Sequence, residues 1–290
     1  MSQCCVLMIV QPDNFNIADE RPIEYGLWED HNIPCYRCEW PEVLRRTSLT
    51  TTNHKLIFRI DNIGVQTELE VSVIYYRAGY TADEYLDDQG RQTRLRLEMA
   101  RAIKCPDVLT HLTTFKAVQQ ALTEEGAVER FMSIDAARRI RETYMPMMKM
   151  NTSPSQFHGI ATDSRQAAGF ILKPNLEGGG HNIYGENIPT FLTEMPRELW
   201  AKYILMRRIL PPSGKTPGAL ATAEGLYEGP VVSELGILGS VLWRKGEGGR
   251  SVEVLRNLAA GWTFKTKPAH VDEMSVVKGY GCFDCPELVA

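Results

Sequence analysis

Apolar residues gather near the start of the chain in an unbroken run, CVLMIVQ at 5–11, the pattern of a strand covered on both faces. The stretch IADERPIEYGLWED then spaces its apolar residues for a helix, with Pro22 near the first turn. A strand at IPCYRC, a helix from about Pro41 and strands at HKLIFRID and LEVSVIYYR follow, and RQTRLRLEMARAIKC is again amphipathic at helical spacing. This β-α-β-α order predicts a doubly wound parallel sheet through residue 107, a fold in which ligands bind at the strand C-terminal ends. Asn14, Asn16, Arg77 and Tyr80 each follow a predicted strand.

Beyond residue 107 the rhythm changes. TTFKAVQQALTEEGAVERFM and DAARRIRETYMPMMKM read as helices, and polar NTSPSQFHG as a surface loop. Strands follow at AAGFILK, AKYILMRRIL, PVVSELGILGSVLW and GWTFKTK, with a helix around NIPTFLTEMPRELW. Long strands joined by loops predict an α+β domain with a mostly antiparallel sheet. The chain thus divides into an α/β domain at 1–107 and an α+β domain at 108–290.

At 290 residues, 43% hydrophobic and 23% charged, the chain has the balance of a globular protein with a sizeable core. A net charge of -4 argues against a protein built to coat nucleic acid. No apolar run is long enough to cross a bilayer, and CCVLMIV lacks the length and basic flank of a signal peptide, so a cytoplasmic setting is expected. Seven cysteines include two C-x-x-C pairs, Cys35/Cys38 and Cys282/Cys285. The first pair lies on a strand, where residues three apart face opposite ways; the second has no neighbouring ligands. Reduced core cysteines are expected rather than zinc.

The candidate chemistry centres on GFILKPNLEGGGHNIYGEN at 169–187. Lys173 closes an apolar strand, so its ammonium emerges at the sheet edge. Gly178, Gly179 and Gly180 let backbone N–H groups approach phosphate oxygens, while Glu177 would repel phosphate unless a cation intervened. A magnesium ion resolves that conflict by taking oxygens from both; a plain hairpin turn is the other reading of a triple glycine. SGKT at 213–216 is no P-loop, because Ile209 stands where that pattern needs glycine. No G-x-G-x-x-G follows the first strand and no G-x-S-x-G is present.

ILKPNLEGGGHNIYGE, YILM, SELGILG and KTK occur in the order and at intervals that resemble the ATP-grasp core of eukaryotic-type glutathione synthetase. NIADERPIE, VSVIYYRAGY, KCPD and KAVQQ resemble the substrate-binding region of that family. The resemblance covers nearly the whole chain. It implies an N-terminal substrate-binding domain and a C-terminal ATP-grasp domain. It also implies a ligase joining γ-glutamylcysteine to glycine through an acyl phosphate, at the expense of ATP with magnesium. Residue by residue, Lys116 and Lys173 resemble the phosphate-facing lysines, and Glu177 the magnesium ligand. Gly178, Gly179, Gly180 and Asn182 resemble the phosphate lid, with Tyr184 nearby. Met206 to Ile209 resemble the adenine hinge, and Glu234, Lys267 and Glu273 fall at further nucleotide positions. Asn14, Asn16, Glu20, Arg77 and Tyr80 fall at dipeptide positions. Lys265 falls at the catalytic position and, with Val276 and Val277, where the family binds the other end of the product.

Singly, each residue has a structural reading. Lys116 could solvate a helix start, Arg77 could pair with Asp83 or Asp87, and Met206 could be core. Glu234, in an apolar strand, is harder to dismiss, because a buried carboxylate without a partner is costly. The chain also departs from the family pattern. Lys265 replaces an arginine and loses its planar fork; Ser275, Val276, Val277 and Lys278 replace small residues of a loop that closes over glycine. Arg207 and Ala78 stand where acids are usual. The family's chains begin upstream of the residue matching Met1, and that portion carries further metal ligands and substrate contacts. Three alternatives therefore accompany the ligase: a different amine acceptor or none, a silent nucleotide- or partner-binding protein, and a sequence lacking the start of a longer protein. A homodimer, after the family's habit, or another chain that supplies the upstream residues is the expected partner.

Overall fold

The apolar run near the start becomes the buried centre of a six-stranded sheet in the computed structural model of this chain. The structure describes all residues except 1–3, 15, 63–64, 151–156, 176–180, 212–216, 250, 277 and 286–290. The described chain divides into two compact units. One comprises Met1–Asn151, Lys173–Gly178 and Ala201–Ile204; the other Thr152–Leu172, Gly179–Trp200 and Leu205–Ala290.

In the first unit, β1 (Cys4–Val10) lies between β2 (Cys35–Glu39) and β5 (Val65–Tyr76), parallel to both. β3 (Thr47–Leu49) and β4 (Leu56–Asn62) extend the sheet beyond β5, and β6 (Ile103–Cys105) pairs with the later part of β5. The expected parallel sheet holds for β2, β1, β5 and β6, but β3, β4 and β5 run antiparallel, so the sheet is mixed. Only two residues join β4 to β5, a link that can do nothing but reverse the chain. Leu7, Ile9, Leu56, Phe58, Ile74 and Leu97 are wholly buried around this sheet, each stabilising the fold by about 2 kcal/mol.

Six helices accompany these strands: α1 (Ile17–His31), α2 (Val43–Arg46), α3 (Asp88–Met99), α4 (Val108–Leu112), α5 (Lys116–Thr123) and α6 (Ile134–Arg141). α1 ends where Asn32 adopts a left-handed conformation and its N–H returns to Leu27 and Trp28 carbonyls. Pro22 lies in its second turn rather than its first. α3 stops at Met99, because the expected helix gives way to β6. Asp87 starts α3 by accepting the Gly90 N–H at 2.7 Å. α6 ends at Arg141, short of the helix expected over DAARRIRETYMPMMKM, because Pro146 cannot continue it, and the end of that stretch is instead the strand β7 (Met147–Lys149).

The next elements are α7 (His158–Thr162), α8 (Ser164–Ala167), β8 (Phe170–Pro174), β9 (Ile183–Tyr184), α9 (Asn187–Glu194) and β10 (Tyr203–Arg207). They supply a four-stranded sheet of order β7-β10-β8-β9. In the second unit β11 (Pro217–Thr222), β12 (Gly225–Lys245), β13 (Val252–Pro268) and β14 (Cys282–Phe283) form an antiparallel sheet in sequence order. The antiparallel character expected of the later chain is therefore present. β12 and β13 are far longer than the apolar runs that announced them. They form a two-stranded ribbon whose pairs include Glu234 with Lys265, Leu235 with Phe264 and Ile237 with Trp262. Alternation puts Glu234 and Lys265 on one face and Leu235, Ile237 and Trp262 on the other, where all three are more than half exposed.

Cys5, Cys35, Cys38, Cys105, Cys282 and Cys285 are free thiols, and among the described residues no three His, Cys, Asp or Glu side chains group to hold a metal. Among them, too, no helix is long and apolar enough to cross a membrane.

Candidate functional site

Parallel pairing brings the ends of β1 and β5 side by side, and with them the residues that follow each strand. The Arg77 N–H donates to the Ile9 carbonyl at 2.7 Å, which fixes the start of the turn after β5. Asn14 Nδ2 donates to Glu20 Oε2 at 2.7 Å, and Asn14 Oδ1 accepts the Asn16 N–H at 3.0 Å. Glu20 is completely buried; its carboxylate lies 3.4 Å from Arg77 Nε and 3.5 Å from Arg37 Nη2. Arg77 also faces Asp19 at 3.5 Å, rather than Asp83 or Asp87. Four of the five residues expected at dipeptide positions, Asn14, Asn16, Glu20 and Arg77, thus belong to one network. A cavity of about 300 Å³ opens beside it, with Asn14, Gln11, Arg37, Glu39 and Arg46 in its wall.

Tyr80, the fifth, is placed by its neighbours. Gly79 has φ +80°, and a side chain there would collide with the Trp40 ring. The Glu84 carboxylate accepts from the N–H groups of Gly79, Tyr80 and Thr81 at 2.7–3.0 Å, and from the Thr81 hydroxyl. This capping box holds the turn that carries Tyr80.

Lys116 opens α5, and Lys173 sits near the end of β8. Asn175, two residues after Lys173, accepts the Ala117 N–H at 2.8 Å and so caps α5. That bond brings the end of the lysine-bearing strand to the helix start that carries the second lysine.

In the second unit, four of the residues expected at nucleotide positions come together. Tyr184 donates its hydroxyl to Glu273 Oε1 at 3.0 Å, and Asn182 Nδ2 donates to the same oxygen. Lys267 donates to the Val271 and Asp272 carbonyls at 2.6 and 2.9 Å. Burial lowers the Lys267 ammonium below its ordinary value. Burial pushes the Tyr184 phenol up to about 12, with Glu273 adding to the rise. Lys265 is 3.6 Å from Glu234, its neighbour across the ribbon. Glu234 itself is half exposed, so the expected cost of a buried carboxylate does not apply. Met206 is half-buried in β10, and Ile209, just beyond it, is exposed. Val276 lies in a hairpin in which Tyr280 N–H donates to Ser275 O at 2.8 Å and Gly279 N–H to Val276 O at 2.9 Å. Glu177, Gly178, Gly179, Gly180 and Val277 lie outside the described residues.

The residues that sequence reasoning missed are partners of those it found. Arg37 shares Glu20 with Arg77, Glu84 holds the Tyr80 turn, and Asp272 pairs at 2.8 Å with Arg208, whose side chain had no expected role within the 206–209 stretch. Only Glu84 had a local signal, the T-A-D-E capping pattern at 81–84.

Comparison with known proteins follows the same residues. Residues 31–288 match the family model described as the ATP binding domain of eukaryotic glutathione synthase. The glutathione synthetase large chain of Schizosaccharomyces pombe is 35% identical over 283 residues, 98% of this chain and 55% of that one. The glutathione synthetase of Dictyostelium discoideum is 33% identical, across 98% of this chain and 57% of its own. The chain therefore spans about half the length of the curated relatives it matches. Among solved structures, a glutathione synthetase-like effector from Globodera pallida in its apo form superposes with a TM-score of 0.65 at 21% identity. That likeness covers 99% of this chain and 57% of the effector, and it concerns the fold.

Proposed function

This chain belongs to the eukaryotic glutathione synthetase family, and from that premise we propose that it is an ATP-dependent carboxylate-amine ligase. The reaction joins γ-glutamylcysteine to glycine. In it, a carboxylate oxygen of the dipeptide attacks the γ-phosphorus of ATP, releasing ADP and leaving an acyl phosphate. The glycine amine then attacks the acyl carbon, phosphate departs and the amine loses a proton. Residues 108–290 act as the ATP-grasp domain and 1–107 as the substrate-binding domain.

One observation carries the nucleotide part: Asn182, Tyr184, Lys267 and Glu273, distant in sequence, meet through a single short segment at 271–273. Lys116 and Lys173 supply cations for the transferred phosphoryl group, where catalysis depends on positioning and charge. Met206 to Ile209 offer main-chain polar groups to the adenine. In the first unit, the Asn14–Glu20–Arg77 network orients the dipeptide, with Tyr80 beside it. Lys265 holds the carboxylate at the glycine end by charge alone, lacking the two-pronged grip of arginine.

Magnesium is part of the proposal. Glu177 would be its carboxylate ligand, as the family resemblance implies, with phosphate oxygens taking the other positions. Its contribution would be to neutralise phosphate charge. A cytoplasmic setting and the homodimeric habit of the family complete the reading.

The test measures phosphate release from magnesium-ATP with γ-glutamylcysteine and glycine each present or omitted, and peptide by mass. Release that requires both substrates, yields glutathione and disappears in Glu177→Ala is the expected result. ATP binding without peptide would sink the ligase. A second acceptor is favoured by one observation, the tight 275–280 hairpin carrying Val276 where the family has small residues. A screen of larger amines in the same assay distinguishes it.

A further inference from the structure

Three threads hold the segment 271–273. Lys267 of β13 donates to the carbonyls of Val271 and Asp272. Glu273 is held by Tyr184 of β9 and by Asn182 just before that strand. Asp272 Oδ1 is held by Arg208 Nη2 at 2.8 Å. The first two threads are made by side chains already assigned to nucleotide binding; the third joins Asp272 to the side chain of Arg208, a hinge residue whose main chain alone has been given a role.

Arg208 is itself well anchored. It follows β10 directly, and its N–H donates to the Gly169 carbonyl at 2.8 Å, just before β8. Its guanidinium carbon stands 5.9 Å from the centre of the Tyr184 ring, within reach of a cation–π contact. Arg208 therefore stands beside the Tyr184 ring and pairs with Asp272, the residue next to Glu273.

The charge arithmetic gives this pair a purpose. Asp272 and Glu273 are adjacent carboxylates, and a polyphosphate bound at Lys267 would meet both. Arg208 cancels the first, while Tyr184 and Asn182 satisfy the second by hydrogen bonds. We infer that Arg208 and Asp272 are positioning residues for the nucleotide. Their ion pair fixes segment 271–273 so that Glu273 stays on Tyr184, and it removes a negative charge that would oppose phosphate. This inference rests on the nucleotide-binding reading above.

Calorimetric titration of ATP with magnesium chloride into the full chain tests it, using Arg208→Ala, Asp272→Ala and the exchanged double variant Arg208→Asp/Asp272→Arg. Half-exposed ion pairs are individually weak, so each single variant is expected to bind roughly fivefold more weakly, with Arg208→Ala the worse because Asp272 is left bare. The exchanged variant recovers most of the loss, and raising the salt concentration narrows the gap between wild type and the single variants. Unchanged affinity in both single variants, or an exchanged variant as weak as either, overturns the inference. Hydrogen exchange on the ATP-free protein reads the positioning without nucleotide. Exchange over 271–273 should quicken in both single variants and slow again in the exchanged one, with melting temperature unmoved. A wild type that fails to bind ATP refutes the nucleotide reading. Unaltered exchange in the single variants refutes the positioning, whatever ATP does.

Discussion

Glu20 has no exposed surface, yet it carries a carboxylate between two arginines. Such a group is stable only while its partners remain, and the partners depend on it equally. Glu20→Ala leaves Arg37 and Arg77 partly buried without their shared acid and should destabilise the fold by about 3 kcal/mol. A urea titration followed by circular dichroism reads this as a lower midpoint with unchanged slope. The cysteines give a second prediction. Burial pushes the thiols of Cys5 and Cys38 up to about 12, whereas Cys4 and Cys285 are exposed. Because the thiolate is the reacting form, iodoacetamide at pH 8 should label Cys4 and Cys285 within minutes and spare Cys5 and Cys38 until the chain unfolds; mass spectrometry of the peptides decides. Asn14 and Arg77 were legible in the sequence because each follows a strand, and parallel strands deliver such residues to one edge. Arg37, Arg208 and Asp272 were not, since nothing local distinguishes them from surface charges. Their roles arise only when the fold brings a distant acid or base beside them.

Among the elements, α6 is tied to the preceding 3-10 turn (Val128–Arg130) by Arg141. Its guanidinium grips Glu129 at 2.8 and 2.9 Å and also caps the carbonyls of Thr123 and Glu124. Those hydrogen bonds hold the Glu129 carboxyl down to about 2, from an ordinary 4.5. A depressed carboxyl contributes stability above its unfolded value and loses it as the pH falls through its folded value. Wild type should therefore lose protection over 123–142 between pH 4.5 and 2. Glu129→Gln should show no loss in that window, as measured by hydrogen exchange. The existence of β1, β2, β4 and β5 was legible, whereas the three-residue strands β3, β6 and β7 were not, being too short to show alternation; strand direction was not legible either, since alternation is blind to it. The direction of β4 and β5 lay instead in the brevity of their link. β12 and β13 outran their apolar cores for a related reason. Gly236, Gly239 and Ser240 interrupt the alternation without ending the pairing, and register shifts at Leu238/Gly239 and Leu242/Trp243 absorb the irregularity.

At the scale of the whole molecule, family membership was the most legible property, because the motifs keep their order over nearly the entire chain. The β12–β13 ribbon was the least legible. No local pattern announces that Leu235, Ile237, Val241 and Trp262 will be more than half exposed. An apolar strand surface with open edges favours association between chains. Static light scattering should show mass rising with protein concentration, and Ile237→Lys with Trp262→Lys should flatten that rise. The same ribbon bears on a routine assay. Dyes such as anilinonaphthalene sulfonate and SYPRO Orange brighten wherever they find apolar surface, and this fold presents such surface before any heat is applied. A thermal-shift trace will start bright and climb little, so ligand screening by melting temperature calls for intrinsic tryptophan emission or calorimetry.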